Sequence, residues 1–114
     1  FMDEAEQLCD RLVVMDHGQI VAEGSPSSLI KQYSSREVAE VRFGSERNAA
    51  MVDELRDLAG RIEVLPDRIL MYADDGEGLL EEVHRRGLNP VTSLVRRSSL
   101  EDVFLRLTGR SLID

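Results

Sequence analysis

The sequence predicts an α+β chain in two units: a helix–hairpin–helix piece over residues 1–34 and a β-α-β-β-α-β unit closed by a helix over residues 35–114. Three observations carry this. Short apolar runs of strand length alternate with stretches of helical periodicity. Gly, Pro, Asp and Ser punctuate the joins between them. The polar stretch Ser34-Ser35-Arg36 separates a first part too small to bury its own apolar faces from a second part with a regular pattern.

Asp3 to Cys9 reads as a helix, with Asp3, Glu4 and Glu6 in its first turns, where carboxylates complement the helix dipole. Leu12 to Met15 and Ile20 to Ala22 are strand-like runs, and Asp16-His17-Gly18-Gln19 between them is a turn, with Gly18 suited to positive φ. Gly24 breaks the chain. Ser25 then caps, and Pro26 starts, a short helix running to about Tyr33. The hairpin's Val13, Val14, Ile20 and Val21 need a larger body to lie against, and the isolated chain is expected to self-associate through them.

Val38 to Phe43 is a strand with Ala39, Val41 and Phe43 on one face. Residues 46–59 form an amphipathic helix with Met51, Val52, Leu55, Leu58 and Ala59 on one stripe. Arg61 to Leu65 and Arg68 to Ala73 are strands joined by the Pro66-Asp67 turn. Asp74-Asp75-Gly76 ends the second of them. A helix from Glu77 to Arg86 buries Leu79, Leu80 and Val83, with Gly87 as its C′ residue. Val91 to Arg96 is the fourth strand. Ser98 or Ser99 caps a last helix, with Glu101 or Asp102 completing a capping box, and Leu100, Val103, Phe104 and Leu107 form its apolar stripe before Gly109. The order from residue 37 is that of the split βαβ, ferredoxin-like fold, with the extra helix free to cover a sheet edge, cover the open face, or reach a partner.

Composition narrows the function. The 114 residues are 42% apolar, with few aromatics and no Trp, so the core is aliphatic. A domain of about 80 residues buries only about 60–65% of its unfolded surface, which makes for modest stability. No apolar run approaches the roughly 20 residues of a spanning helix, and the acidic N-terminus is unlike a signal peptide. The single Cys9 points to a reducing compartment. The net charge of −8 is shared equally by residues 1–34 and 35–114 without a basic block, which argues against nucleic acid and anionic lipid.

Few residues invite chemistry. Asp3, Glu4 and Glu6, or Asp74 and Asp75, suggest a metal site only until their helix-start and loop positions are weighed, and the spacing of an EF-hand is missing. His17 falls in a turn and His84 on a helix, neither within a zinc-ligand pattern. Cys9 reads as a small apolar residue. The Arg85-Arg86 and Arg96-Arg97 pairs have Glu81, Glu82, Glu101 and Asp102 nearby and read as surface ion pairs. Phe43 and Tyr72 lack the glycine-aromatic motif of an RNA-binding sheet. Gly24-Ser25-Pro26 and Gly76-Glu77-Gly78 do not fit a phosphate loop. No catalytic, cofactor-binding or metal-ligating residue is assigned.

The opening stretch resembles the ATP-binding subunits of ABC transporters. The resemblance rests on Phe1, Met2-Asp3-Glu4-Ala5-Glu6, Cys9-Asp10-Arg11, the His17-Gly18 turn between two strands, and Glu23-Gly24-Ser25-Pro26. The second unit, closing with Ser99-Leu100-Glu101-Asp102-Val103-Phe104 and Leu107-Thr108-Gly109, resembles the C-terminal extension of drug-resistance (daunorubicin-resistance-like) members of that group. The resemblance implies that residues 1–34 are the end of a nucleotide-binding domain, a remnant without its sheet, and that 35–114 are an accessory domain for regulation or dimerisation. It places the switch histidine immediately before Phe1, so His17 is not that residue. It further implies ATP and magnesium in the parent protein and neither in these residues. The implied partners are an upstream ATPase domain, a second ATPase subunit in a homodimer, and a membrane permease holding the protein at the inner face of the cell membrane, with export of a drug or antibiotic. The alternative reading is a small-molecule-sensing module of ferredoxin-like fold. A free-standing enzyme fails for want of a site.

Overall fold

The computed structural model describes residues 10–44 and 46–109. The described chain is α+β, with two antiparallel sheets and four helices. The helix expected over Asp3 to Cys9 lies outside the described residues. The described residues divide into two compact units, those up to Ser35 together with those from Ser98 onward, and those from Arg36 to Arg97.

In the first unit, strands β1 (Leu12–Asp16) and β2 (Gln19–Gly24) form a hairpin. His17 and Gly18 both have positive φ, 51° and 75°, as a two-residue primed turn requires. Val14 faces Ala22 across the ladder, but Met15 pairs with Ile20, so a bulge leaves Val21 over. Helix α1 (Pro26–Tyr33) is capped by the Ser25 hydroxyl, which accepts from the Ser28 N–H at 3.2 Å.

The second unit has strands β3 (Glu37–Arg42), β4 (Arg61–Val64), β5 (Ile69–Ala73) and β6 (Thr92–Arg97) in the antiparallel order β4-β5-β3-β6. Helices α2 (Asn48–Leu55) and α3 (Gly76–Arg85) cover one face. Val52, Leu55, Leu79, Leu80 and Val83 pack there on Ala39, Val41, Phe43, Ile69 and Met71. Leu79, Leu80 and Val83 are buried as the sequence pattern indicates, whereas of the other stripe Val52 and Leu55 are buried and Met51, Leu58 and Ala59 are partly buried. Helix α2 is shorter than the 46–59 expected. It has no side-chain cap at its start, and the chain tightens after Leu55, whose carbonyl accepts from the Leu58 N–H at 3.0 Å. Helix α3 takes Asp75 as its N-cap and Gly87, with φ 70°, follows its end.

The closing helix α4 (Leu100–Thr108) departs from its expected place. It groups with residues 1–35, whereas the sequence reading put it in a unit running from 35 to 114. Leu100 and Val103 are buried in one cluster with Val14, Ala22 and Leu29, flanked by Tyr33, Phe104 and Leu107. The Arg106 guanidinium also donates to the Tyr33 carbonyl at 2.8 Å. The physical reason is that α1 and the hairpin lack enough apolar partners of their own, and α4 supplies them. The hairpin is therefore not wholly without cover, as the sequence suggested: α1 and α4 close one of its faces.

Candidate functional site

Two features stand out among the described residues: the exposed apolar side chains of the hairpin, and an ion network on the sheet face opposite α2 and α3.

On the hairpin, strand alternation turns Val14 and Ala22 inward. The bulge then places Met15, Ile20 and Val21 outward with Val13. Their exposures of 55%, 61%, 38% and 45% leave four large apolar side chains open on two paired strands, with Met15 and Ile20 ladder partners. Scattered exposed apolar residues are ordinary, whereas a group of this kind marks a contact surface. At the turn, exposed His17 lies 3.7 Å from the Asp16 carboxylate. At the other end Arg11 lies 3.7 Å from Glu23. Both partners of the Arg11–Glu23 pair are exposed, so only weak, solvent-screened attraction is available to it.

On the sheet, alternation sends Val38, Glu40, Leu70 and Tyr72 to the face away from the helices. Glu40 is 8% exposed. Its two carboxylate oxygens accept from the Arg68 guanidinium at 3.1 Å and from the Arg96 Nε at 2.5 Å. Arg68 also donates twice to Asp67, at 3.1 and 3.0 Å, and Arg42 lies 3.8 Å from the same carboxylate. These hydrogen bonds from Arg68 hold the Asp67 carboxyl below its usual value, and Asp67 in turn raises Arg68. Beside this network the Arg61 guanidinium stacks over the Tyr72 ring at 3.8 Å and donates to Glu63 at 3.1 Å. Glu40, held by Arg68 and Arg96 from either side of β3, is the centre of a cross-strand ion network on this face.

The residues singled out in the sequence fall into separate places. Asp74 accepts from the Arg36 N–H at 3.4 Å, and Asp75 caps α3 by accepting from the Gly78 N–H at 3.0 Å. Arg85 pairs with Glu82, and Arg86 bridges Glu82 at 3.0 Å and Asp57 at 2.7 Å. The Asp57 carboxyl is lowered by its hydrogen bonds from Arg86, and Arg86 is raised in return. Arg96 pairs with Glu40. Asp102 accepts from the Ser99 N–H at 2.7 Å and closes the cap of α4. Phe43 lies in the core under the helices and Tyr72 on the opposite face, so the two aromatics share no stacking platform. His84 stands exposed on α3, and Asp3, Glu4, Glu6 and Cys9 lie outside the described residues.

No group of three His, Cys, Asp or Glu side chains able to hold a metal ion occurs among the described residues. Glu40 was missed by the sequence reading. Its signal is a lone carboxylate within Val38-Ala39-Glu40-Val41, with Arg68 and Arg96 reaching it from beyond or within neighbouring strands.

Comparison with known proteins places the chain. The family model of the C-terminal domain of the nodulation factor export protein NodI matches residues 47–109. A Nod factor export ATP-binding protein I from Rhizobium sp. (strain N33) is 43% identical over 112 residues, covering 98% of this chain and 36% of the relative. The protein of the same name from Sinorhizobium fredii (strain NBRC 101917 / NGR234) is 40% identical over 114 residues, covering 100% of this chain and 32% of the relative. That from Bradyrhizobium diazoefficiens is 41% identical over 116 residues, 98% of this chain and 35% of the relative. The chain thus spans about a third of the length of the curated relatives it matches.

Proposed function

The chain belongs to the family of the C-terminal domain of the nodulation factor export protein NodI, and on that premise we propose that it is the C-terminal part of the ATP-binding subunit of an ABC transporter. The single observation that carries this is the similarity over the whole chain to export ATP-binding proteins, hairpin included.

In this reading the hairpin unit is the end of a nucleotide-binding domain. The apolar group of Val13, Met15, Ile20 and Val21 seats against the body of that domain, and the opposite face is closed by α1 and α4. The sheet unit is an accessory domain of ferredoxin-like topology, a reading supported by its β-α-β-β-α-β order and its strand order β4-β5-β3-β6. It acts through protein contact or regulation and not through chemistry. ATP and magnesium belong to the remainder of the parent protein, together with the second ATPase subunit of a homodimer and a membrane permease. No helix among the described residues is long and apolar enough to cross a membrane, so the permease is what holds the subunit at the inner membrane face in this reading. The exported compound is a separate matter, since fold alone does not determine it. The names of the relatives make a Nod factor the first substrate to test, ahead of the drugs that the drug-resistance resemblance implies.

Calorimetric titration of ATP with magnesium tests the proposal on two proteins, the 114-residue chain and the full-length gene product. The proposal predicts no heat of binding to the former and saturable binding to the latter. Binding to the 114-residue chain, or none to the full-length protein, overturns it.

A further inference from the structure

The chain leaves the hairpin unit after Ser35 and returns to it at Ser98. The two crossings are paired on both sides. Within the first unit, the Ser34 and Ser98 hydroxyls hydrogen-bond at 2.9 Å across a separation of 64 residues. Within the second, the first residue of β3 and the last of β6, Glu37 and Arg97, are ladder partners. There is little slack. Helix α1 ends at Tyr33 and β3 begins at Glu37, while β6 ends at Arg97 and α4 begins at Leu100. The C-cap of α1 is Ser34 itself, and the N-cap of α4 is Ser99. The two helices that close the hairpin's inner face are therefore the two elements that carry the crossings.

We propose that residues 36–97 are an insertion whose folding state is read by α1 and α4 through these two short, paired connections. While β3 and β6 stay laddered, the start of α4 is held beside the end of α1, and both helices stay clamped on Val14 and Ala22. When the sheet unit loosens, the crossings separate and the clamp loosens with them. Loop-closure entropy gives the direction: a folded insertion with adjacent ends joins α1 to α4 as a short link does, and an unfolded one joins them as a long loop does. A ligand or protein that binds only the folded sheet unit stabilises it by mass action. It thereby tightens the helices over the hairpin, which makes the insertion a regulatory element without requiring an active site.

The test is hydrogen exchange on the 114-residue chain carrying Val83→Ala. Val83 is fully buried in the sheet unit's core and belongs to no cluster of the hairpin unit. Exchange of α1 and α4 amides is expected to rise about tenfold or more along with that of β3 and β6. A second chain adds Ser34→Cys and Ser98→Cys, two side chains close enough to bridge. Oxidised, it should return α1 and α4 to the exchange of the parent chain while β3 and β6 stay fast; reduced, it should not. Unchanged exchange in α1 and α4 after Val83→Ala overturns the proposal. So does a rise that the disulfide leaves intact, which marks simple global unfolding. Where Val83→Ala does not fold, Ile62→Val, which trims a partly buried core residue, carries the same comparison.

Discussion

Leu100→Ala is the sharpest perturbation of this molecule. Leu100 is 2% exposed and lies in a cluster of five buried residues, so its side chain is a large part of the first unit's small core. Truncating a buried leucine costs the transfer free energy of the lost carbons and that of the cavity left behind, together about 2–4 kcal/mol at a site of this kind. The upper part of that range is favoured because Val14, Ala22 and Val103 are short side chains, and Ala22 and Val14 are fixed in a ladder. At about 1.4 kcal/mol per tenfold, protection factors of the amides that open with this core should fall roughly 30- to 700-fold. The assay is native-state hydrogen exchange followed by two-dimensional NMR. Amides of β1 and β2 must lose protection together with those of α4, although they lie more than seventy residues away in sequence. Loss confined to α4, or a change below threefold in the hairpin, refutes the packing argument.

Other outcomes follow from the same geometry. Gly76→Ala should destabilise by about 1–3 kcal/mol in urea titration, because a Cβ there meets Val95 Cγ1 at 2.6 Å and the residue's own N–H, which donates to Glu37 at 2.8 Å, holds the backbone in place. Asp102→Ala should cost about 1–2 kcal/mol in the same assay by opening the cap of α4. The Asp57 carboxyl, held below its ordinary 3.8 by Arg86, contributes stability that is present above about pH 4 and lost as pH falls through its depressed value. Carbon-detected titration should show that depression, and Arg86→Ala should move Asp57 back toward 3.8; a titration unchanged by the substitution contradicts the assigned cause.

Much of the fold was legible because its signals are local. Ser25-Pro26 fixed the start of α1, and Leu79, Leu80 and Val83 recur at the spacing that buries one face of α3. The place of α4 was not legible. Its stripe of Leu100, Val103, Phe104 and Leu107 says that one face is apolar and is silent on which apolar face it meets. That choice depends on Val14, Ala22 and Leu29, which are distant in sequence and become a surface only after the hairpin forms. Glu40 was hidden for the same reason: Arg68 and Arg96 stand 28 and 56 residues away, and ladder register alone brings them to one carboxylate. The exposed apolar group on the hairpin was half visible. The alternation of Val13 and Val14 is in the sequence, but the bulge that turns Ile20 and Val21 outward together is a property of the ladder.

The measurement that bears most directly on this account is the set of methyl–methyl NOEs from Val103. If α4 completes the hairpin unit, Val103 methyls must show NOEs to Val14 and Leu29, its companions in the buried cluster. NOEs from Val103 to Val41 or Met71, in the core of the sheet unit, with none to Val14 or Leu29, contradict it.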